Sequence, residues 1–261
     1  MVDAELVPGD RPDTFVLRMS GMDQSCVDLA DPTRIVFDYV RRLADVVDAV
    51  APASEPLRVV HVGGAGLTLP RYVAATRPRS AQVVLEPAAE VTELVRRELP
   101  LPRHSGIKVR AVDGRAGISD LRDRYADLVV VDAFAEARVP GSLVTASFAA
   151  DLLRVVGPTG VVAFNLTDRA PFGWARRAVA AVRLSFPSLL LTAEPATLRA
   201  KRLGNLVVVA SAGALPLDTL RMRATTAASP YRVLDDRAVS DSFGGGTPFT
   251  DVDTEDSPAP G

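Results

Sequence analysis

Four apolar runs in this chain each stop at a glycine turn or a carboxylate, and that punctuation limits the folds open to it. The runs are Val59-Val60-His61-Val62 before Gly63-Gly64-Ala65-Gly66, Val83-Val84-Leu85 before Glu86, Val109-Arg110-Ala111-Val112 before Asp113-Gly114, and Leu128-Val129-Val130-Val131 before Asp132. Short aliphatic runs separated by helix-length segments are the pattern of βαβ units and a parallel sheet. Parallel strands bring all four run ends to one edge, where open α/β sheets bind their ligands. A nucleoside lying along that edge needs a close-packed backbone turn, an acid for its ribose and an acid for its base. The chain supplies them in that order.

The spacing predicts strands near 57–62, 82–86, 107–112, 127–132 and 160–166, with helices at about 67–77, 87–98, 114–122 and 142–156. A helix over 174–185 is stopped by Phe186-Pro187, and Ser188–Glu194 and Asn205–Ser211 read as two further strands. Their connection, Arg199-Ala200-Lys201-Arg202, is too short for a crossover helix, so the pair is antiparallel. Five parallel strands closed by an antiparallel pair predict an α/β fold of the class I S-adenosylmethionine-dependent methyltransferase-like Rossmann type.

Upstream, residues 1–12 read as a flexible terminus. Thr14–Met19 and Gln24–Leu29 read as a β-hairpin around Ser20-Gly21-Met22-Asp23. Asp31-Pro32 reads as the cap and first position of a helix reaching about Val50. The breaker Ala51–Pro56 separates this extension, residues 13–55, from a Rossmann-like nucleoside-binding domain over 56–230. A last helix over 216–228 precedes an acidic, Pro/Gly-rich tail, 231–261, whose composition predicts disorder.

A chain of 261 residues can bury a full core in one such domain. Its 30 Lys and Arg against 32 Asp and Glu leave a net charge of −2, which gives no electrostatic reason to expect a nucleic-acid or membrane-surface partner. No apolar run reaches the length of a membrane span. The start, MVDAELVPGDRPD, has no basic residue followed by an apolar run, so a cytoplasmic protein without a signal peptide is expected. Cys26, the one cysteine, excludes an intramolecular disulfide and a thiolate metal cluster, and reads as a small buried hydrophobe. His61 lies inside a strand and His104 in a loop, and no His/Cys/Asp spacing suggests a metal site. No G-x-S-x-G nucleophile elbow is present either.

Gly63, Gly64 and Gly66 permit a tight turn that a ligand can approach without Cβ interference. Leu69 stands where a G-x-G-x-x-G fingerprint has its third glycine, and no phosphate-binding Lys-Ser/Thr follows. A dinucleotide or nucleoside triphosphate is therefore disfavoured. Glu86 can accept from both ribose hydroxyls, or can cap the helix that Pro87 opens. Asp113 can accept from the exocyclic amine of an adenine for which Gly114 clears space, or the two can form a plain Asp-Gly turn. Asp132 ends a run too apolar for anything but a buried central strand. At the floor of the cleft it can hold a cation or take a proton from an amine, or cap the loop over Ala133–Val139.

On these residues the chain resembles the spermidine synthase (polyamine aminopropyltransferase) family, more closely its spermidine-synthase-like branch in high-GC bacteria. The likeness runs from about residue 15 to 211 and includes the N-terminal hairpin. The family's glycine turn aligns with Val62–Leu67, its ribose and adenine acids with Glu86 and Asp113, and its catalytic-loop aspartate with Asp132. Its F-x-Y-x-E segment reads Phe37-Asp38-Tyr39-Val40-Arg41, which matches Tyr39 to the active-site tyrosine; a buried helix tyrosine is the alternative. The resemblance implies a co-substrate, decarboxylated S-adenosylmethionine or S-adenosylmethionine, no metal, a small-molecule acceptor such as a polyamine, and a homodimer.

The departures fall on the amine side. Ala65 stands for the turn aspartate, Ala135 for the second loop acid with Glu136 beside it, and Arg41 for the glutamate after the tyrosine. No tyrosine matches in Glu194-Pro195-Ala196-Thr197. A diamine is dicationic, and buried cations must be paired. Aminopropyl transfer to an amine, with Asp132 and Tyr39 orienting and deprotonating the acceptor, is therefore weighed against methyl transfer and against a non-catalytic binding homologue.

Overall fold

The structure, a computed structural model, describes residues 4–199 and 202–260. Strands β1 (Ala4–Pro8), β2 (Thr14–Met19) and β3 (Met22–Asp28) form an antiparallel sheet in that order. Ser20 and Gly21 link β2 to β3 with φ of 51° and 77°, the turn geometry that suits the right-handed twist of a hairpin. The expectation of a flexible segment over 1–12 is corrected by β1, which pairs with β2 from Ala4↔Met19 to Pro8↔Phe15. Leu6 of β1 packs on a cluster that includes Leu17, Val27 and Val84, so apolar burial holds the strand. Residues 1–3 of that segment lie outside the described residues.

The Asp31-Pro32 pair does not open a helix. The Asp31 carboxylate accepts from the backbone N–H and hydroxyl of Thr33, a local turn that competes with helix. Helix α1 begins later, at Asp38–Ala49, and buries Val40, Leu43, Val46 and Val47. The breaker that follows is gathered by Arg77, which is 1% exposed. Its guanidinium donates to the carbonyls of Val47, Ala51, Pro52 and Glu55 at 2.8–3.0 Å.

Elements β4 (Arg58–Val62), α2 (Thr68–Thr76), β5 (Ala81–Leu85), α3 (Ala89–Glu98), β6 (Ile107–Arg110), α4 (Gly114–Ser119), β7 (Leu128–Val131), α5 (Ala146–Val156) and β8 (Val161–Asp168) alternate as expected. They are followed by α6 (Gly173–Arg183), β9 (Ser188–Ala193), α7 (Pro195–Leu198), β10 (Gly204–Ser211), α8 (Leu217–Thr226), β11 (Arg232–Leu234) and α9 (Asp236–Phe243). The sheet order is β11-β9-β10-β8-β7-β4-β5-β6. Strands β4 to β8 pair in parallel, and β10 inserts antiparallel between β8 and β9. The α/β class and the methyltransferase-like Rossmann topology are those read from the chain, with β11 as an eighth strand antiparallel to β9.

Alternate strand residues feed two cores, as the pleat requires. Val60, Val129 and Val131 face the side of Phe148, Trp174 and Phe243. Val59, Val130 and Val207 face the side of Val40, Leu43 and Leu220. His61 is buried within β4, its Nε2 lies 2.9 Å from Gln82 Oε1, and burial lowers its pKa to about 4, so it is neutral. Cys26 is buried as expected. None of the described helices is long and apolar enough to cross a membrane.

The tail corrects the expectation of disorder over 231–261. Beyond β11 and α9, Phe249 is fully buried, packs on the Trp174 ring at 5.8 Å, and lies under the Arg177 guanidinium. The chain then crosses the loop that follows β7. Ser257 Oγ accepts from the Val139 N–H at 2.8 Å, and Asp256 Oδ1 accepts from the Gly141 N–H at 2.9 Å. Glu255 O accepts from Trp174 Nε1 at 2.8 Å. Acid and proline content foretold disorder because it weighed composition alone, whereas a buried aromatic ring and a buried hydroxyl anchor the segment. The Ser257→Ala variant leaves the Val139 N–H buried without an acceptor, and we expect it to cost about 1–3 kcal/mol in urea denaturation. An unshifted midpoint would show that the tail does not lie on this loop.

Candidate functional site

The four run ends meet at one edge, and backbone hydrogen bonds join them. Gly63 N donates to Leu85 O, Glu86 N to Arg110 O and Asp132 N to Val62 O, at 2.9–3.0 Å. Gly63 has φ of +84°, and a Cβ there would lie 2.3 Å from Asp132 O. A Cβ on Gly64 would meet Val84 Cγ1 at 2.4 Å, one on Gly66 would meet Ser25 Cβ at 2.7 Å, and one on Gly114 would meet Val62 Cγ1 at 2.3 Å. The reason expected for these glycines is thus corrected. Protein neighbours fill the space beside each, so the glycines serve close packing of the edge, and Gly114 makes room for Val62 rather than for a ring.

The hairpin sheet forms one wall of this edge, which the sequence did not signal. Ser25 Oγ accepts from the Gly66 N–H at 3.1 Å, and Thr68 Oγ1 donates to Cys26 O at 3.1 Å. Glu86 spans both roles read for it. Its Oε2 accepts from the N–H groups of Gly64 and Ala65 at 3.1 and 3.2 Å, while Oε1 accepts from Ala88 N–H at 3.0 Å, just before α3. A carboxylate has about four acceptor positions, so with three taken about one remains for a hydroxyl. Asp113 caps α4, its Oδ1 accepting from the N–H groups of Arg115 and Ala116. These residues fit a nucleoside in chemistry: two acids with spare acceptor capacity flank a turn held open by its own packing.

Asp132 lies at the end of β7. Desolvation raises its pKa from 3.8 to about 6, against the opposing effect of Asn165, whose Nδ2 donates to Oδ1 at 2.8 Å. Asn165 Oδ1 in turn accepts from Asn205 Nδ2 at 3.0 Å. Alternation puts Asp132 with Val130, Asn165 with Ala163 and Asn205 with Val207, all on the sheet face that α1 covers. Tyr39, in the first turn of α1, belongs to the same place. Burial raises its phenol well above the ordinary value, and the nearby Asp132 charge raises it further. Asn165 and Asn205 were not foreseen, although an amide inside Val161-Val162-Ala163-Phe164-Asn165 is a signal, since a buried polar group needs a partner. Among the described residues no three His, Cys, Asp or Glu side chains gather as a metal site would require.

No protein-family model matches the chain, and no curated protein matches it. Solved structures do. A probable spermidine synthase from Corynebacterium glutamicum superposes with a TM-score of 0.88 at 24% identity, covering 96% of this chain and 95% of that one. A spermidine synthase from Thermotoga maritima does so at 0.58 and 17% identity, covering 93% and 81%. Human methyltransferase-like protein 13, in complex with SAH, does so at 0.57 and 20% identity, covering 77% and 96%. The chain has a spermidine-synthase-like fold.

The raised Asp132 pKa carries a sign. The folded protein holds this proton more tightly than the unfolded chain, so the contribution is fully present below about pH 4 and is lost as pH rises through about 6. The stability of the natural protein relative to an Asp132→Asn variant should fall across that window, measured by denaturation from pH 4 to 7.5. A difference independent of pH would remove the buried, raised carboxylate.

Proposed function

We propose that the protein is a transferase that binds an adenosyl sulfonium compound along the Glu86–Asp113 edge and transfers a group from sulfur to an amine held beside Asp132 and Tyr39. The observation that carries this reading is the meeting of a raised carboxylate and a desolvated phenol on the α1 face, next to an edge that carries two further acids. The sulfonium ligand supplies an electrophilic carbon. The acceptor nitrogen forms a bond to that carbon while the C–S bond breaks and its electron pair passes to sulfur, leaving a neutral thioether. The proton lost by the nitrogen passes to Asp132. A carboxylate with a pKa of about 6 is mostly ionised at neutral pH and basic enough to receive it. Asn165 holds that carboxylate in place, and in-line placement of the amine contributes most of the remaining rate.

Glu86 would accept from the ribose hydroxyls and Asp113 from the adenine amine. Aminopropyl transfer from decarboxylated S-adenosylmethionine is favoured by the likeness of the whole chain to spermidine synthase structures. Methyl transfer from S-adenosylmethionine is favoured by Ala65, which puts no acid in the glycine turn to hold an aminopropyl ammonium. Calorimetric titration with both compounds and with 5′-methylthioadenosine separates them. Binding of all three, with the decarboxylated form tightest, is the result expected for aminopropyl transfer; preference for the carboxylated form shifts the reading to methyl transfer. Absence of any nucleoside binding would leave only a non-catalytic protein. Glu86→Ala should weaken 5′-methylthioadenosine at least tenfold, and unchanged affinity would refute a ribose contact.

A further inference from the structure

The loop after β7 turns back on itself through a conformation that its residues disfavour. Ala135 and Arg138 exchange both backbone hydrogen bonds at 2.9 Å, which leaves a two-residue turn at Glu136 and Ala137. Both central residues are left-handed, with φ of 49° and 59°. Such a turn prefers Asn-Gly, and neither residue is of that kind here. Side chains in this region of φ persist only where the surroundings over-determine the backbone, and they gather at functional sites.

Here the surroundings are residues 255–257. Ser257 is fully buried. Its N–H donates to Val139 O at 3.0 Å, and its Oγ accepts from the Val139 N–H at 2.8 Å. Arg138, which closes the turn, donates from Nη2 to the Asp256 carbonyl at 2.9 Å and from Nε to the Ser257 carbonyl. Asp256 Oδ1 accepts from the Gly141 N–H, and a Cβ on Gly141 would lie 2.4 Å from Glu255 O. The Ser257 hydroxyl also lies 3.0 Å from Thr167 Oγ1 on β8. Thr167 follows Asn165 by two positions and shares its sheet face, and Asn165 donates to Asp132. One buried serine therefore ties the loop that leaves Asp132 to the strand that holds the partner of Asp132.

We propose that Ser257 and Asp256 are positioning residues for the acceptor side of the site: by pinning the turn at Glu136-Ala137 to β8, they set the loop after Asp132 before any ligand arrives. Without them the turn opens to relieve its backbone, and the free energy of re-forming it is drawn from acceptor binding. Glu86 and Asp113 take their hydrogen bonds from backbone near their own strand ends, so the nucleoside edge keeps its form. Assigning the effect to an acceptor rests on the transferase reading above; the state of the loop does not.

A chain ending at Glu255 tests the assignment. It keeps Phe249 and the Arg115–Asp251 and Arg177–Asp253 pairs, and removes Asp256 and Ser257. In hydrogen exchange without ligand, the amides of Arg138, Val139 and Gly141 should be protected in the full chain and exchange at least about tenfold faster in the shortened one, with β7 and β8 unchanged. In transfer to putrescine from decarboxylated S-adenosylmethionine or S-adenosylmethionine, shortening should raise the KM for putrescine at least about fivefold and leave kcat within about twofold. Calorimetric affinity for 5′-methylthioadenosine should not change. Ser257→Ala in the full chain should move the same quantities in the same direction by less, and decides the matter if the shortened chain does not fold. Free exchange of these amides in the full chain, equal exchange in the two chains, or a fall in kcat at unchanged KM would overturn the assignment. An absence of turnover by the full chain, with the exchange difference intact, would count against the transferase reading and leave the pinned loop standing.

Discussion

The contact between Gly63 and the end of β7 is the constraint on which the site depends. A side chain at Gly63 would collide with the Asp132 carbonyl, so β4 and β7 can run side by side to their last residues only with glycine there. The left-handed φ of Gly63 then turns the chain away at once, and the next two N–H groups arrive at the Glu86 carboxylate. One close approach of backbone therefore brings Glu86, after β5, and Asp132, after β7, to the ends of the two strands that flank β4. Glycine is needed for the protein to meet itself before any ligand is considered.

Charge at the two halves of this edge is handled differently. Glu86 and Asp113 accept from backbone N–H groups, which orients them. Asp132 is half-buried with a single side-chain donor, and desolvation raises its proton affinity. Main-chain donors fix the Glu86 and Asp113 carboxylates, whereas the Asp132 carboxylate is held by one side-chain amide. That division follows from which acids sit near helix starts and which ends a central strand.

Much of this was legible in the chain because it rests on local rules. Aliphatic runs ending in acids defined the parallel strands, and the short link around Arg199 and Arg202 required the antiparallel return of β10. Long-range partners were not legible. Nothing near Ser25 foretells that it accepts from Gly66, and nothing near Ser257 foretells Val139. Asp31-Pro32 misled because its carboxylate closes a turn on Thr33, which satisfies the same N–H a helix would have used. Nothing near Arg42 foretells that it is buried. Its burial comes from β9 and β10, more than a hundred residues away.

The C-terminal segment joins the last part of the chain to the loop that carries Asp132 into the site. Chain order puts that anchor after every strand of the main sheet. During synthesis the sheet and its acids can therefore assemble while the loop still lacks its clasp, which the later segment supplies. A fusion partner attached beyond Ser257 would bear directly on the loop after β7, however far it lies from Asp132 in the sequence.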